Sequence, residues 1–415
     1  MTASYEFVKK KFEEYYRSEC VAMHAPASME KREFGFLMFN GKTMLRHIGF
    51  QTTDTLKSFL RRETCSDAYY SCAYYENAEA EMDKKGWLGS DLVFDIDADH
   101  IPTPCNKIHD EWVCGGCGFT GKGVVPDNCP ICGGQKFDVN TWPCNACLDS
   151  AKTEAVKLLD VLLQDLGFSD REVHVFFSGH RGYHVHVESE VIRNLDAVAR
   201  KEIVDYISGL GLDLLFHGFD EKGWRTRHVS RGSRIDGEGW HGRITKGVYD
   251  FVLNAKEEDF KSLGLKRNTF EAVLKNKDAV LRSLRDFSTF GVVKGVGFET
   301  WKKIAEHNIG LQSAKIDTVV TTDIHRLIRL ADTLHGKTGL KKVGFPISNI
   351  EDFDPFKDAV AFKRGVVTVL VSDVPEFRLG NETFGPCKNQ KIELPTAAAV
   401  LLICRGRAEV VEQNV

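Results

Sequence analysis

Apolar residues recur at helical spacing in two segments of this chain and alternate with polar residues in several others. Residues 5–18 repeat apolar or aromatic positions every three or four residues, which predicts an amphipathic opening helix. A second helix is predicted over Ser150–Leu166, with its leucines on one face and Asp149 or Ser150 as its N-terminal cap. Strands are predicted where residues alternate or are apolar, aromatic and β-branched: Lys31–Phe39, Leu88–Asp97, Val173–Ser178 and Tyr183–Val187.

The remaining segments predict an α/β chain with one insertion and one helical subdomain. Residues 256–310 are rich in Lys, Glu, Leu and Ala, which favours helices, and the sequence becomes β-like again at Ile316. A strand follows Arg364, and Thr396–Cys404 is predicted to be a short buried helix. The expected parts are a main core of residues 1–104, 148–255 and 313–415, an insertion at 105–147 and a helical subdomain at 256–312.

Composition limits the kind of protein that this chain forms. It has 415 residues, of which 42% are hydrophobic, enough for packed cores in two or three units. The longest apolar run, Ala397–Cys404, is far shorter than the about 20 residues of a membrane span, and the charged N-terminus is not a secretory signal. The net charge of −4 gives no overall basic field. Nucleic-acid contact would need local patches such as residues 222–243, for which a solvated loop is the alternative.

Seven of the twelve cysteines lie between residues 105 and 147, with the spacing of tetrahedral zinc sites. The inner four form two CxxC pairs with glycine-containing turns and predict a zinc ribbon: Cys114, Cys117, Cys129 and Cys132. The outer Cys105, Cys144 and Cys147 are one ligand short, and His109, four residues after Cys105, completes a second predicted zinc site. Closed sites leave no position for substrate, so both ions are expected to be structural. Redox-active pairs and buried thiols are the alternatives.

Two carboxylates share one face of the strand Leu92–Asp97. Alternation along the strand places the apolar side chains on one face and Asp95 and Asp97 on the other. Two acids this close repel each other unless they share a cation, and Mg²⁺ prefers a few carboxylates with phosphate oxygens and water. The pair therefore favours a divalent-metal site, and the alternative is a strand end whose acids are only solvated.

The segment Ser178–His186 combines groups that bind phosphate. It lies between two predicted strands and contains two glycines, the hydroxyl of Ser178, the guanidinium of Arg181 and three imidazoles. An arginine fork and the exposed N–H groups of a tight turn together suit a triphosphate. A metal site at His184 and His186 is the alternative, but no cysteine or acid accompanies them.

A third cluster of charged residues runs from Asp317 to Gly339. It contains further acids, two arginines, two histidines and the sequence LHGKTG. This composition suits the binding of anions and metal ions together. Arg326 and Arg329 are equally consistent with surface charges on an amphipathic segment.

Together, these segments resemble the catalytic (small) subunit of archaeal and eukaryotic DNA primase. The first family motif is an acidic pair in a strand, here VFDIDAD, and the second is a Ser-Gly-x-Arg-Gly-x-His turn, here SGHRGYH. The third is an Asp followed by an Arg/His-rich stretch that ends in LHGKTG. The motifs follow in the family's order and separation over most of the chain. A family zinc knuckle resembles the outer Cys/His set, whereas the ribbon inside it is a departure.

The resemblance implies a fold and roles for single residues. The fold is a primase-type α/β core with an RRM-like, palm-like mixed sheet, a zinc-binding insertion and a small helical subdomain. Asp95, Asp97 and Asp317 resemble the carboxylates that hold two Mg²⁺ or Mn²⁺ ions, whereas Asp323 fits the family spacing less well. The residues that resemble nucleotide contacts are Arg32, Ser178, Arg181, His184, Arg329 and His335.

The implied activity is template-directed synthesis of short primers on single-stranded DNA from nucleoside triphosphates, by a two-metal-ion mechanism. The implied partner is a primase large subunit that contains an iron–sulfur cluster, and the expected location is the cytoplasm, or the nucleus in a eukaryote. Two related alternatives are a single-chain repair or plasmid primase-polymerase and a two-metal nuclease or phosphatase. A non-catalytic zinc-ribbon adaptor is the third alternative, and it would leave the three acids idle.

Overall fold

The computed structural model describes residues 3–18, 23–39, 43–227, 230–231, 234–287, 289–290 and 293–411. Contacts divide the chain into two compact units. The first unit comprises Met1–Ala155, Asp170–Lys201 and Ile316–Val415, and the second comprises Val156–Ser169 and Glu202–Lys315. The second unit contains the expected helical subdomain 256–312 and also segments that the sequence assigned to the main core.

The elements of the described residues are numbered here in chain order. The helices are α1 (Ala3–Ser18), α2 (Thr53–Glu63), α3 (Asn106–His109), α4 (Asn145–Asp160), α5 (Ala197–Ser208), α6 (Glu221–Arg227), α7 (Gly239–Asn254), α8 (Glu257–Ser262), α9 (Arg267–Lys275), α10 (Lys277–Phe287), α11 (Phe298–Gln312), α12 (Thr318–Thr322), α13 (Pro355–Asp358) and α14 (Thr396–Cys404). The strands are β1 (Phe34–Met38), β2 (Met44–Ile48), β3 (Cys65–Ser71), β4 (Ala73–Tyr75), β5 (Trp87–Ser90), β6 (Leu92–Asp97), β7 (Glu111–Cys114), β8 (Thr120–Lys122), β9 (Phe137–Asn140), β10 (Val173–Phe177), β11 (Gly182–Val187), β12 (Ser230–Arg231), β13 (Thr289–Phe290), β14 (Leu327–Arg329), β15 (Val343–Phe345), β16 (Val366–Val374), β17 (Phe377–Leu379), β18 (Glu382–Phe384), β19 (Cys387–Pro395) and β20 (Ala408–Val410).

Two four-stranded antiparallel sheets form the first unit's centre. One has the order β14-β3-β1-β2 and the other the order β15-β10-β11-β6. The first sheet packs its aromatic residues, including Phe34 and Phe36, against α1 and α2, which bury Phe12, Leu56 and Leu60 in the same core. The fold is therefore mixed α/β, and the RRM-like description of the sheet stays a prediction.

Several predicted elements are confirmed. The opening helix runs over Ala3–Ser18, Thr396–Cys404 is a helix with the predicted bounds, and Val366–Val374 is the strand predicted after Arg364. The predicted strand Leu88–Asp97 is wrong as one element because it is two strands of different sheets, β5 and β6. They separate at Asp91, which turns inward to an ion pair of 2.6 Å between its Oδ2 and Arg32 Nη2.

Two further predictions are wrong for identifiable reasons. The helix expected at Ser150 begins at Asn145, inside the outer cysteine pair, so Asp149 and Ser150 are not its caps. The segment at Ile316 is not β-like, because α12 begins there and the next strand starts only at Leu327.

The metal-rich insertion carries a small sheet of its own. Its three strands have the order β8-β7-β9 and pair in antiparallel fashion. The insertion begins just before α3 and ends at the start of α4. Its two ends are close to each other, because Cys105 Sγ and Cys147 Sγ lie 3.3 Å apart.

The second unit is mainly helical. Helices α7, α10 and α11 enclose a core that contains Trp240, Ile244, Val248 and Trp301. Part of the predicted basic patch, residues 228–229 and 232–233, lies outside the described residues. Within the described ranges, no helix is long and apolar enough to cross a membrane.

Candidate active site

The acidic strand β6 lies at the edge of the second sheet and pairs with β11. The register sets Asp95 opposite His184 and Asp97 opposite Gly182. A Cβ at Gly182 would lie 1.9 Å from the carbonyl oxygen of Ile96, so only glycine permits this close approach of the strands. The tight pairing brings the phosphate-binding turn of the second motif directly beside the acidic pair.

Asp317 joins the acidic pair from more than 200 positions further along the chain. Its backbone N–H donates to the carbonyl oxygen of Asp95 at 2.9 Å. It is also the N-cap of α12, and its Oδ1 accepts from the backbone N–H groups of Val319 at 2.9 Å and Val320 at 3.4 Å. These bonds fix the third carboxylate beside β6.

The three carboxylates form a site of unbalanced negative charge. Burial raises the pKa of Asp95, and the neighbouring charges of Asp97 and Asp317 raise it further, to about 7. In the described part of the chain, no Lys or Arg lies within ion-pair distance of any of the three. Nearby buried acids such as Asp67 and Asp110 each have an arginine partner instead. A divalent cation is the partner that this oxygen donor set fits.

The SGHRGYH segment closes a tight turn between β10 and β11. Ser178 N–H donates to the Gly182 carbonyl at 2.9 Å, and Ser178 Oγ accepts from the N–H groups of His180 and Gly182, each at 3.3 Å. Gly179 has φ +87°, which favours glycine. The hydroxyl of Ser178 therefore organises the turn, and its bonds are made within the turn itself.

Arg181 and His184 have different surroundings. Arg181 is fully buried, with Nη1 donating to Asp110 Oδ1 at 2.7 Å and Nη2 lying 3.1 Å from Asp99 Oδ1. Its Nε and Nη2 have no hydrogen-bond partner among the described residues. His184 Nε2 lies 3.5 Å from Asp95 Oδ1, and burial lowers the pKa of His184 well below its ordinary value, so that the ring is neutral at pH 7.

The LHGKTG loop packs against the turn. Thr338 Oγ1 donates to the Gly179 carbonyl at 2.6 Å, and the ring of His335 stacks on His180 with a centroid distance of 5.0 Å. On the other side of His180, its Nε2 lies 3.3 Å from Arg405 Nη1. Burial, followed by the charge of Arg181, lowers the pKa of Arg405 to about 10. The turn is therefore enclosed by cationic and imidazole groups from distant segments.

Arg329 and Lys342 form a second basic layer. Arg329 is buried, and its Nη1 donates to Asp67 Oδ1 at 2.6 Å while Nη2 donates to Tyr69 Oη at 3.2 Å. Lys342 is fully buried, and its Nζ donates to the Arg329 carbonyl at 2.8 Å. Burial lowers the pKa of Lys342 to about 7.

Arg32 lies apart from this arrangement. Its side chain is fully buried, with Nε bonded to the Ala27 carbonyl and Nη1 bonded to two backbone carbonyls. Its Nη2 donates to Tyr74 Oη at 2.7 Å and to Asp91 Oδ2 at 2.6 Å. These contacts occupy all five N–H donors. The prediction that Arg32 contacts the nucleotide therefore does not fit its position, and we leave it out of the proposed site.

The outer cysteine set converges on one point. Its four ligand atoms all lie within 4.8 Å of one another: the Sγ atoms of Cys105, Cys144 and Cys147 and a ring nitrogen of His109. The Cys105–Cys144 Sγ distance is 3.6 Å and His109 Nε2 lies 3.2 Å from Cys144 Sγ. A tetrahedron with bonds of about 2.3 Å has edges of about 3.8 Å, so these atoms surround a space of the size of a zinc ion.

The inner cysteine set has the same geometry. Cys114, Cys117, Cys129 and Cys132 also place their Sγ atoms within 4.8 Å of one another. Cys114 Sγ lies 3.6 Å from Cys132 Sγ, and the backbone N–H of Gly116 points at Cys114 Sγ. The glycine-containing turn after Cys114 therefore directs a backbone N–H toward sulfur.

Sequence reasoning missed several residues of the site. His180 lies within the second motif but was not included among the expected contacts. Lys342 follows the third motif without any recognisable pattern. Arg405 follows a buried apolar helix near the end of the chain, and no local signal connects it to residue 180. Only the tertiary fold brings these groups together.

Comparison with known proteins gives one consistent result. Residues 138–348 match the family described as DNA primase small subunit. The DNA primase small subunit PriS of Methanothrix thermoacetophila is 33% identical, over 97% of this chain and 98% of its own. The PriS proteins of Methanococcoides burtonii and Archaeoglobus fulgidus are also 33% identical, and each match covers 97% of both chains. The chain therefore belongs to the DNA primase small subunit family.

Proposed function

We propose that this primase subunit joins nucleoside triphosphates at Asp95, Asp97 and Asp317 by a two-metal-ion mechanism. The observation that carries the proposal is the backbone hydrogen bond between Asp317 and Asp95, which brings the third acid beside the other two. As a member of its family, the chain is the catalytic subunit of DNA primase in replication. The role proposed for each residue rests on the contacts that it makes.

The three acids are proposed to hold two Mg²⁺ or Mn²⁺ ions. The raised pKa of Asp95 supports this assignment, because a cation between the carboxylates would relieve their mutual repulsion. When bound, such ions stabilise the attacking 3′ oxygen and the pyrophosphate leaving group. The protein's own contribution is to keep the carboxylates in place through the β6–β11 pairing and the capped start of α12.

The turn Ser178–His184 is proposed to hold the triphosphate. Cationic and imidazole side chains from three segments lie at this turn: Arg181, Arg405 and His335. Nε of Arg181 has no hydrogen-bond partner among the described residues and Nη2 has only the ion pair with Asp99, so the guanidinium keeps donor capacity for a phosphate oxygen. Positioning of the triphosphate supplies much of the rate in phosphoryl transfer. Arg329 is proposed to form a second basic layer behind the turn, where its hydrogen bonds to Asp67 and Tyr69 hold it in place.

The two cysteine sets are proposed to bind one structural Zn²⁺ each. The donors are thiolates and one imidazole, which suit zinc better than Mg²⁺. Each set supplies four protein ligands, so neither has a position for substrate. Zinc at the outer set would fasten α3 to α4 at the base of the insertion.

The subunit is proposed to work on single-stranded DNA in a heterodimer with a primase large subunit. The family supports this partner and template, and the iron–sulfur cluster of the large subunit is part of the same proposal. In a cell without a nucleus, this work would take place in the cytoplasm. The division of the catalytic core into residues 1–104, 148–255 and 313–415 also remains a proposal.

A labelled-nucleotide assay tests the proposed chemistry. The full chain is incubated with single-stranded DNA, labelled nucleoside triphosphates and Mg²⁺ or Mn²⁺, and the products are separated by length. We expect labelled oligonucleotides that disappear when the divalent ions are chelated. Shortened template without labelled product would support the two-metal nuclease instead.

A further inference from the structure

The buried carboxylate of Asp110 lies where the metal-rich insertion meets the second sheet. Its Oδ1 accepts three hydrogen bonds: from His109 Nδ1 at 2.7 Å, from Arg181 Nη1 at 2.7 Å and from the Trp142 backbone N–H at 3.0 Å. His109 lies near the start of the insertion, Arg181 in the turn between β10 and β11, and Trp142 near the end of the insertion. One oxygen atom therefore joins three segments that are distant in sequence.

The contact with His109 orients a member of the outer cysteine set. His109 Nε2 faces Cys144 Sγ at 3.2 Å and Cys147 Sγ at 3.7 Å. With Nε2 directed at the thiolates, the ring proton lies on Nδ1, and Asp110 Oδ1 accepts it. A carboxylate in this position fixes the ring and makes the other nitrogen a better metal ligand.

The contact with Arg181 orients the phosphate-binding turn. Arg181 is fully buried, so its guanidinium direction is set by its ion pairs and not by water. Asp110 Oδ1 accepts a hydrogen bond from Nη1, and the Trp142 carbonyl accepts a second one from the same nitrogen at 3.4 Å. This arrangement leaves Nε and Nη2 without a hydrogen-bond partner. Loss of the Asp110 carboxylate would leave Nη1 with only the long bond to the Trp142 carbonyl and would leave Asp99 as the one remaining ion-pair partner of the guanidinium among the described residues, so its direction would be less firmly set.

The backbone of Asp110 is held as firmly as its side chain. Its N–H donates to the Asn106 carbonyl at 2.9 Å, and its carbonyl accepts from Gly123 N–H at 2.9 Å. The residue as a whole is buried, with 3% of its surface exposed. Burial alone would raise the pKa of Asp110, but the hydrogen bonds from His109 and Arg181 hold it below its ordinary value.

We propose that Asp110 is a positioning residue that couples metal binding at the Cys105/His109/Cys144/Cys147 set to triphosphate binding at the Ser178–His184 turn. The coupling runs through one oxygen that both His109 Nδ1 and Arg181 Nη1 share. Part of this inference rests on the proposed role of the turn in binding triphosphate. By linkage, metal at the outer set strengthens triphosphate binding, and triphosphate strengthens metal binding by the same factor.

Asp110→Asn in the full chain tests the metal side of the coupling. The substitution keeps the size and removes the charge, and Zn²⁺ affinity is measured by competition with a chromogenic chelator in the absence of nucleotide and DNA. We expect one of two Zn²⁺ equivalents to bind roughly 10–100-fold more weakly and the other, at the inner set, to be unchanged. Asp138→Asn, an exposed acid in β9 of the same insertion, is the matched control and should bind both equivalents like the wild type. Wild-type affinity for both equivalents in Asp110→Asn would overturn the proposal.

Triphosphate affinity gives the second readout. Binding of a fluorescent ATP analogue, measured without template, should weaken roughly tenfold in Asp110→Asn. In primer synthesis the same change should raise KM more than it lowers kcat. Weakened Zn²⁺ binding with unchanged analogue binding would show that Asp110 serves the metal set alone, and would overturn the coupling.

The wild-type protein provides a test that does not depend on how the variant folds. The ATP analogue should raise the affinity of one Zn²⁺ equivalent, measured by equilibrium competition with the chelator, and removal of that equivalent should weaken analogue binding by the same factor. A Zn²⁺ affinity that is indifferent to the analogue would overturn the coupling. These measurements use binding alone and do not depend on primer synthesis. Wild-type protein that shows the coupling but makes no primers would contradict the proposed function. The inference about Asp110 would still stand.

Discussion

Asp95 carries a large electrostatic cost in the acidic site. Its pKa reaches about 7 because burial and two neighbouring carboxylates act in the same direction. Asp67, Asp91 and Asp110 are also buried, but each is neutralised by an arginine. An acid cluster without an arginine partner is typical of a site that binds a cation. The three acids of the site differ in this respect from Asp67, Asp91 and Asp110.

Asp317 serves two roles that one substitution can separate. Asp317→Asn keeps an N-cap of equal quality for α12 but removes one negative charge from the site. We expect primer synthesis to fall at least about 100-fold, the effect of about 3 kcal/mol lost from the transition state, with little change in thermal unfolding.

The acid at the other end of the same helix is the matched control. Asp323 is exposed and accepts from the His325 N–H at 2.9 Å. Asp323→Asn should keep near-wild-type synthesis. Equal losses in both variants would contradict a specific role for Asp317.

Buried Lys342 gives a pH dependence with a definite sign. Its pKa is lowered from its ordinary value to about 7, so between about pH 7 and 10 the unfolded chain binds a proton that the folded chain has lost. Stability therefore rises with pH in this window. Relative to Lys342→Met, the wild-type free energy of unfolding should increase by on the order of 2 kcal/mol between pH 7 and pH 9.5.

Urea unfolding of both proteins at the two pH values measures this difference. The Met side chain keeps the volume and contact with Phe176, over which Lys342 Nζ lies at 4.4 Å from the ring centroid. Parallel pH profiles for the two proteins would mean that Lys342 is charged in the folded state at neutral pH.

At the level of elements, the β6–β11 pairing depends on one glycine. In Gly182→Ala the new Cβ would meet the backbone carbonyl of Ile96, which cannot move without breaking the strand pairing. We expect a loss of about 3 kcal/mol in stability, together with loss of primer synthesis. Thermal and urea unfolding measure the effect.

Gly310→Ala is the control for this change. Gly310 lies inside α11, and a Cβ there meets no atom within 4 Å. Alanine in a helix is favoured over glycine, so this variant should gain about 0.5–1 kcal/mol. A Gly182→Ala protein as stable as wild type would show that the strands can separate at little cost.

Sequence patterns predicted elements whose stability is local. The amphipathic α1 and the apolar α14 were recognised from periodicity and composition alone. Helix α12 was missed because its sequence, TVVTT, favours a strand. It is helical because Asp317 caps it and bonds to β6, and neither contact is visible in a local window. The start of α4 was missed because a thiol lies at the helix start in place of the usual polar cap: Cys144 Sγ accepts from the Cys147 N–H at 3.4 Å.

For the whole molecule, the two cysteine sets predict a metal stoichiometry. Full-length protein should contain two Zn²⁺ per chain, and Cys117→Ser and Cys147→Ser should each contain one. Cys147 is fully buried at the start of α4, whereas Cys117 is exposed. Loss of the outer ion should therefore lower the unfolding temperature more than loss of the inner one. Elemental analysis and thermal unfolding of the three proteins measure both effects, and two Zn²⁺ in either variant would contradict the assignment.

The sequence motifs predicted which acids come together, whereas the two compact units have bounds that differ from those of the expected parts. Asp95, Asp97 and Asp317 were recognised from their motifs, and the fold brings them together. The second unit also takes Val156–Ser169 and Glu202–Ala255 from the expected main core. Such boundaries follow from long-range contacts, as does the approach of Arg405 to His180, and local composition does not record them.

Primer synthesis without a pre-existing primer decides whether these three acids form one active site. Wild type, Asp95→Asn and Asp317→Asn are compared on single-stranded DNA with labelled nucleoside triphosphates and saturating Mg²⁺ or Mn²⁺, after circular dichroism has verified that each is folded. We predict labelled oligonucleotides from wild type and at least about 100-fold less from either variant. Equal amounts of product from all three proteins would contradict the active site described here.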